Sequence, residues 1–245
     1  MLPEPLPGAD DDDPVRMHAV DSWLPTGVRG DCRVVRYTVT DMEARNLMLR
    51  ALLNPHRNPR VIPPGEYTQL WEGDTLWMSD TPGEVQDHSV LFQQATGRVL
   101  LHGLGLGMAA KRVMGLREVQ HVTIVERSQD VLDLVAPHLL RAVGQPWEET
   151  RVGDHVVRYD SPAATILQGD AFEWSPRKTD HWDLIWHDIW PNLSTDNLVE
   201  MRALGNRFKR YADRQLHWGQ DELRRISAQN KWRRGGRKSR ASSTS

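Results

Sequence analysis

Cysteine is nearly absent from this chain: Cys32 stands alone among 245 residues. One thiol excludes an intramolecular disulfide and any cysteine-rich metal cluster. Phenylalanine is also scarce, with three residues, and there are five lysines against 26 arginines. That arginine excess is what a high-GC bacterial or phage genome encodes. No apolar run approaches the roughly 20 residues needed to cross a bilayer. The first residues lack the hydrophobic segment of a signal peptide, so the expectation is a cytoplasmic protein with no membrane partner. A formal net charge of −2 gives no global field to draw the protein to nucleic acid. No internal repeat is visible. The length suits one α/β domain with appendages, large enough to bury a core.

What is present is a glycine-rich turn in the segment Arg98-Val-Leu-Leu-His-Gly-Leu-Gly-Leu-Gly-Met-Ala-Ala110. Val99 to Leu101 form an apolar strand, Gly103, Gly105 and Gly107 crowd the turn, and Met108 to Met114 begin a helix. A turn this tight asks for positive φ, and a side chain there would keep a ligand from the backbone. The helix aims its free N–H groups at whatever lies above the turn. Nineteen residues past Gly107, the strand His121-Val-Thr-Ile-Val125 ends in Glu126, placed to accept hydrogen bonds from two ribose hydroxyls. The pattern points to a nucleoside-containing cofactor. Read from Gly105, the loop fits a G-x-G-x-x-A dinucleotide fingerprint; read from Gly103, it is the G-x-G-x-G loop of enzymes that use S-adenosylmethionine.

Two later strands, Ala164–Gln168 and Trp182–His187, stop at Gly169-Asp170-Ala171-Phe172 and at Asp188-Ile-Trp-Pro191. Ligands of an open parallel sheet lie outside the carboxyl ends of its strands, so Gly107, Glu126, Asp170 and Asp188 are expected to converge. These segments resemble the class I S-adenosylmethionine-dependent methyltransferases, especially their spermidine-synthase-like branch. The resemblance implies that S-adenosyl-L-methionine is the cofactor, with Gly103, Gly105 and Gly107 cradling it. It further implies Glu126 on the ribose, Asp170 on the adenine amino group, Ala171 or Phe172 on the adenine face, and Asp188 beside the sulfonium and the incoming nucleophile. The acceptor is not implied.

The resemblance extends upstream from the glycine strand. Tyr67-Thr-Gln-Leu-Trp71, Glu72-Gly-Asp74 and Thr75-Leu-Trp-Met78 predict a β-hairpin. Ser79-Asp-Thr-Pro82 predicts a helix start, capped by Asp80 or Thr81, with Glu84 completing a capping box. Hairpin, helix and glycine strand follow one another in this order in spermidine synthases. The departures are chemical. That branch carries an aspartate in the loop and a second acid just after the strand-four aspartate, where this chain has Leu104, Leu106 and Ile189-Trp-Pro-Asn192. An aminopropyltransferase is therefore the runner-up, and a non-catalytic nucleoside-binding protein is a third reading. A nicotinamide oxidoreductase would leave Asp170 and Asp188 without roles.

The expected fold is a Rossmann-like doubly wound α/β sheet of about five parallel core strands, order 3-2-1-4-5, preceded by a helix and β-hairpin. The boundaries follow composition. Residues 1–30, with five prolines and the acidic run Asp10–Asp13, are expected to be an unordered tail. Residues 31–97 form the appendage, which includes a strand over Arg33 to Val39. In its helix, capped by Thr40-Asp-Met-Glu43, Met42, Leu49, Leu52 and Leu53 supply an apolar stripe. The cofactor domain spans 98–230; between Gly144 and Pro162, the segment Val152-Gly-Asp-His-Val156 suggests a small excursion or a hairpin at the sheet edge. Residues 231–245 are a basic unordered tail, through which alone nucleic acid would be contacted. Trp182, Trp186 and Trp190 share the parity of Asp188 and are expected on one sheet face, Trp182 and Trp186 as packing and Trp190, past the strand's end, either as packing or as a flat cover for adenine or an acceptor. His88, His102 and His187 lie near the cleft as satisfied histidines, and their spacing does not suggest a zinc site.

Overall fold

The computed structural model describes residues 20–53 and 61–228. The run Asp10–Asp13 and the basic tail over 231–245 lie outside them. In chain order, β1 (Gly27–Arg29), β2 (Cys32–Val39), α1 (Asp41–Leu53), β3 (Gly65–Glu72) and β4 (Thr75–Ser79) form the first layer. The four strands pair antiparallel in sequence order, and β3–β4 is the expected hairpin, with a register shift at Leu70/Trp71. Two short helices follow, α2 (Pro82–Asp87) and α3 (Ser89–Gln94).

The second layer holds β5 (Gly97–His102), α4 (Met108–Met114), β6 (Val119–Glu126), α5 (Gln129–Ala142), β7 (Glu148–Val152), β8 (His155–Asp160), β9 (Ala164–Gln168), β10 (Trp182–His187), α6 (Asn197–Phe208) and β11 (Ala212–His217). The strand order is β11-β10-β5-β6-β9-β8-β7. The five strands β9-β6-β5-β10-β11 are mutually parallel, which is the doubly wound 3-2-1-4-5 arrangement. The β7–β8 hairpin adds antiparallel to β9 at the edge. Helical residues 220–228 follow β11.

Alternation along the parallel strands, buried on both faces, builds two cores. One takes Val99, Leu101, Val122, Ile124 and Leu184 together with α4 and α5 residues such as Val113, Leu132 and Leu139. The other takes Leu100, Val125 and Ile185 beneath Met201, Leu204 and Phe208 of α6. Each fully buried large apolar side chain contributes about 1.5–3 kcal/mol. The three tryptophans do not share a face. Trp186 joins the first core, and Trp182 and Trp190 join the second. Strand alternation does not govern Trp182, the first residue of β10, whose indole N–H donates to Thr123 Oγ1 at 3.3 Å, nor Trp190, which lies past the strand's end.

Three expectations for the appendage need correction. Residues 20–30 are packed, not an unordered tail: Val20 and Leu24 are buried in the first core and β1 extends the antiparallel sheet. The Val20 N–H donates to Asp80 Oδ2 at 3.1 Å, the Arg36 guanidinium donates to the Asp21 and Leu24 carbonyls, and Arg29 pairs with Asp133. Two apolar residues held by distant polar partners leave no local periodicity to detect. The stripe on α1 is not core: Met42, Leu49, Leu52 and Leu53 are all exposed, and the helix leans on Val39 and Tyr67 through Ala44. Its capping box does form, with the Thr40 N–H donating to Glu43 Oε2 and the Glu43 N–H to Thr40 Oγ1. At α2 no side chain caps the helix. Asp80 accepts instead from Val20 and Thr68, and Glu84 accepts from the backbone N–H and hydroxyl of Ser79.

Candidate functional site

The carboxyl ends of β5, β6, β9 and β10 open into a cleft of about 830 Å³, a size suited to a cofactor or a drug-sized ligand. Its far wall comes from the first sheet and α2, through residues that include Cys32, Leu70, Trp77, Met78 and His88. The appendage thus supplies one wall of the site.

Gly103, Gly105, Glu126, Asp170, Ala171, Phe172 and Asp188 all line this cleft. Gly107 does not; it sits under the loop as the left-handed residue before α4, and a Cβ there would lie 3.0 Å from Trp23 and 3.1 Å from Val135. Gly103, at φ +95°, is required for a different reason. A Cβ on it would stand 2.3 Å from the Asp188 backbone oxygen, a distance no side chain can occupy. The glycines are demanded by protein packed against them as much as by any ligand.

Glu126 ends β6 and is buried. Its Oε2 accepts the Leu104 N–H at 2.8 Å and its Oε1 accepts the Ser128 N–H at 2.7 Å. Burial pushes its carboxyl above the usual carboxylate range, while the Leu104, Ser128 and Gly105 N–H groups hold it down. A carboxylate has about four acceptor sites, so these backbone groups leave capacity for a ligand hydroxyl. Ser128 Oγ in turn accepts the Val131 N–H and starts α5. Asp170 folds the next turn: its Oδ1 accepts the Phe172 N–H at 2.7 Å and its carbonyl the Trp174 N–H at 2.7 Å. Ala171 is buried beside it, and Phe172 is 38% exposed, its ring available to cover a flat ligand.

Asp188, just past β10, has a side chain 23% exposed and lies 2.8 Å from His88 Nε2. His88 is a residue that reading the sequence missed as a partner: 100 positions separate the two, and only the strand order brings them together. Cys32 was likewise not tied to the site. Its thiol sits 3.6 Å from Ser128 Oγ, and burial pushes its pKa up, which keeps it in the unreactive thiol form. Trp190 is buried in the cleft wall, its indole N–H donating to Glu200 Oε2 at 2.6 Å.

His102, His187 and His217 form a stack behind the site, with ring centroids 4.8 Å apart for His102–His187 and 4.4 Å for His187–His217. Gln215 Nε2 donates to the Gly205 carbonyl, so Gln215 Oε1 faces His187 Nε2 at 3.0 Å and accepts its N–H. His187 Nδ1 is then an acceptor, and His102 Nδ1–H donates to it at 2.8 Å. Burial drives the pKa of His187 well below the ordinary value and that of His102 down to about 3. Both are structural. Among the described residues no group of three or more His, Cys, Asp or Glu side chains is arranged to hold a metal ion, and no helix is long and apolar enough to cross a membrane.

No protein-family model matches this chain, and no curated protein sequence does. Its fold is similar to that of several solved structures. A S-adenosylmethionine-dependent methyltransferase from Clostridium acetobutylicum is 16% identical, over 53% of this chain and 44% of that one, with a TM-score of 0.32. A dimethyladenosine transferase from Plasmodium falciparum is 15% identical over 50% and 37%, with a TM-score of 0.33. A mitomycin 7-O-methyltransferase is 18% identical over 54% and 33%, with a TM-score of 0.35. This chain spans less than half the length of each of the three. The doubly wound fold rests on the strand pairing itself, and likenesses this distant add nothing on activity.

Proposed function

We propose that this protein is a S-adenosylmethionine-dependent methyltransferase whose cofactor lies in the cleft. The observation that carries the reading is Glu126: a buried carboxylate held in place by the Leu104 and Ser128 N–H groups, bordering the cleft at the carboxyl end of β6 with acceptor capacity left over. That is the requirement for holding a vicinal diol. Asp170 and Phe172 border the same cleft one strand away and would take the adenine amino group and ring face. Asp188, beyond the next strand in the other direction, would stand beside the positive sulfur. Bound S-adenosylmethionine supplies a methyl group on a sulfonium, already a good leaving group, so the protein's task is alignment and a destination for the acceptor's proton. Asp188 is the group assigned to the second task.

A second reading, aminopropyl transfer to a polyamine, is favoured by one observation. Eight carboxylate residues line the cleft, Glu72, Glu84, Asp87, Glu126, Asp170, Asp188, Glu200 and Glu222, against the single arginine Arg127. Such a lining suits a cationic acceptor whichever group is transferred. The two readings part in one assay: labelled methyl transfer from S-adenosylmethionine to amine, nucleic-acid and extract pools, run beside decarboxylated S-adenosylmethionine with putrescine. Calorimetry decides the cofactor. Binding of S-adenosylmethionine or S-adenosylhomocysteine is expected, and tight binding of NAD with neither of these would overturn the assignment. Binding without transfer to any pool would favour a non-catalytic nucleoside-binding protein.

A further inference from the structure

His88 joins α2 to α3 and is fixed by both. Its N–H donates to the Val85 carbonyl, and its own carbonyl accepts the Phe92 N–H. The ring is buried against Trp186 and Phe92, at centroid distances of 5.8 and 6.2 Å. Its Nδ1 lies 2.8 Å from the Glu84 backbone oxygen. A carbonyl can only accept, so Nδ1 carries a proton. In a neutral ring the other nitrogen, Nε2, would then present a lone pair. That nitrogen is 2.8 Å from Asp188 Oδ2, which as a carboxylate oxygen is also an acceptor. Two lone pairs cannot face each other at this distance, so a proton lies between them.

The surroundings put that proton on the imidazole. Asp188 Oδ2 also receives the Trp186 indole N–H, at 3.4 Å, so it already takes a second donor. The charged groups acting on the ring are the carboxylates of Asp188 and Asp87, and Glu84 adds its carbonyl. Burial opposes a charge on His88, but the Asp188 bond and charge, the Glu84 carbonyl and Asp87 outweigh it and raise the ring's pKa above the ordinary value.

We propose that His88 is a positioning residue: as an imidazolium it donates from Nε2 to Asp188 and fixes that side chain with Oδ2 engaged, leaving Oδ1 for a cationic centre or a departing proton in the cleft. The use of Oδ1 rests on the transferase reading; the protonation of the pair does not.

The test is a pH titration of the intact protein labelled with ¹⁵N-histidine, followed by NMR. One imidazole should keep both nitrogens protonated at pH values where exposed rings have lost a proton, and its signal should be missing from H88Q. In D188N the same ring should titrate below the exposed histidines, because it is buried without its carboxylate. A wild-type His88 that titrates with or below the exposed rings overturns the proposal, and this result needs no variant that could fail to fold. Calorimetry with S-adenosylmethionine supplies the second readout. H88L, which cannot donate to Asp188, should bind about tenfold more weakly than wild type, on the scale of one charge-assisted hydrogen bond. H88Q, whose amide can donate, should recover most of that loss. Equal affinity in wild type, H88L and H88Q would remove His88 from a positioning role. If no form binds S-adenosylmethionine while the titration shows the imidazolium, the pair stands and the transferase reading fails.

Discussion

Glu126 Oε2 and the Leu104 backbone nitrogen are 2.8 Å apart, so the carboxylate assigned to a ligand also shapes the glycine loop. Glu126→Ala should therefore weaken two properties at once. It leaves the Leu104 and Ser128 N–H groups without their acceptor, costing about 1–3 kcal/mol of stability for each that stays buried. It should also reduce S-adenosylmethionine affinity measured by calorimetry. A variant with unchanged melting temperature would show that the loop does not need the carboxylate.

Val20 and Leu24 make the segment before β1 part of the core. Leu24→Ala should destabilise by about 2–5 kcal/mol, the usual cost of emptying a buried leucine site. Deleting residues 1–30 should cost more, since it removes β1 and the Val20 N–H bound to Asp80. Chemical denaturation of both variants checks this. A truncated protein as stable as the full chain would contradict the packing.

Gly103→Ala tests the close approach of the loop to Asp188. A left-handed backbone alone costs a side chain about 1–2 kcal/mol, which is what Gly153→Ala, at φ +60° with nothing within 4 Å, should show. Gly103→Ala should cost clearly more and disturb Asp188, because its Cβ meets a backbone oxygen at 2.3 Å. Equal losses in the two variants would mean the loop relaxes freely.

Acid should unfold the protein through its histidine stack. Burial lowers the pKa of His102 to about 3 and of His217 to about 4, and holds His187 well below 6.5. The unfolded chain binds more protons than the folded one between those values and 6.5. Stability therefore rises with pH across that window and falls as pH drops below 6.5. His88 acts in the opposite sense: its pKa is raised in the fold, so its contribution is present at low pH and is lost as pH climbs through the folded value. His138 is also lowered, by burial and by Arg141, so four groups against one make the acid loss dominant among the shifted histidines. Urea midpoints at pH 7 and pH 5 should differ, and His102→Phe should shrink the difference.

For the chemistry, Asp188→Asn should slow whichever transfer is detected by roughly 10²–10⁴-fold, the scale of general-base loss. Turnover equal to wild type would free Asp188 from the mechanism.

The parallel sheet was legible because each strand is a short apolar run ended by glycine or a polar residue, and connections of a helix between such runs leave few topologies. The edge hairpin followed from Val152-Gly-Asp-His-Val156 in the same way. The strand-end residues Glu126, Asp170 and Asp188 could be listed for the same cleft, because strand ends converge by geometry. What stayed hidden depends on partners far along the chain. The seat of Val20 is a carboxylate sixty residues away, and His88 owes its charge to a residue with no sequence relation to it. The stripe on α1 shows the converse: apolar spacing marks a face, but not whether anything in the same chain covers it.

The seating of the N-terminal segment also bears on the order of assembly. Val20 binds Asp80 across 60 positions, Arg29 binds Asp133 across 104, and Trp23 packs against the Gly107 turn. Residues 20–29 must therefore wait for α5 before all of these partners exist. Contacts of such separation lower folding rates, because the loop they close is lost as entropy before it is repaid. The glycine loop, packed on Trp23 from below, would reach its final form only when that last strap is in place.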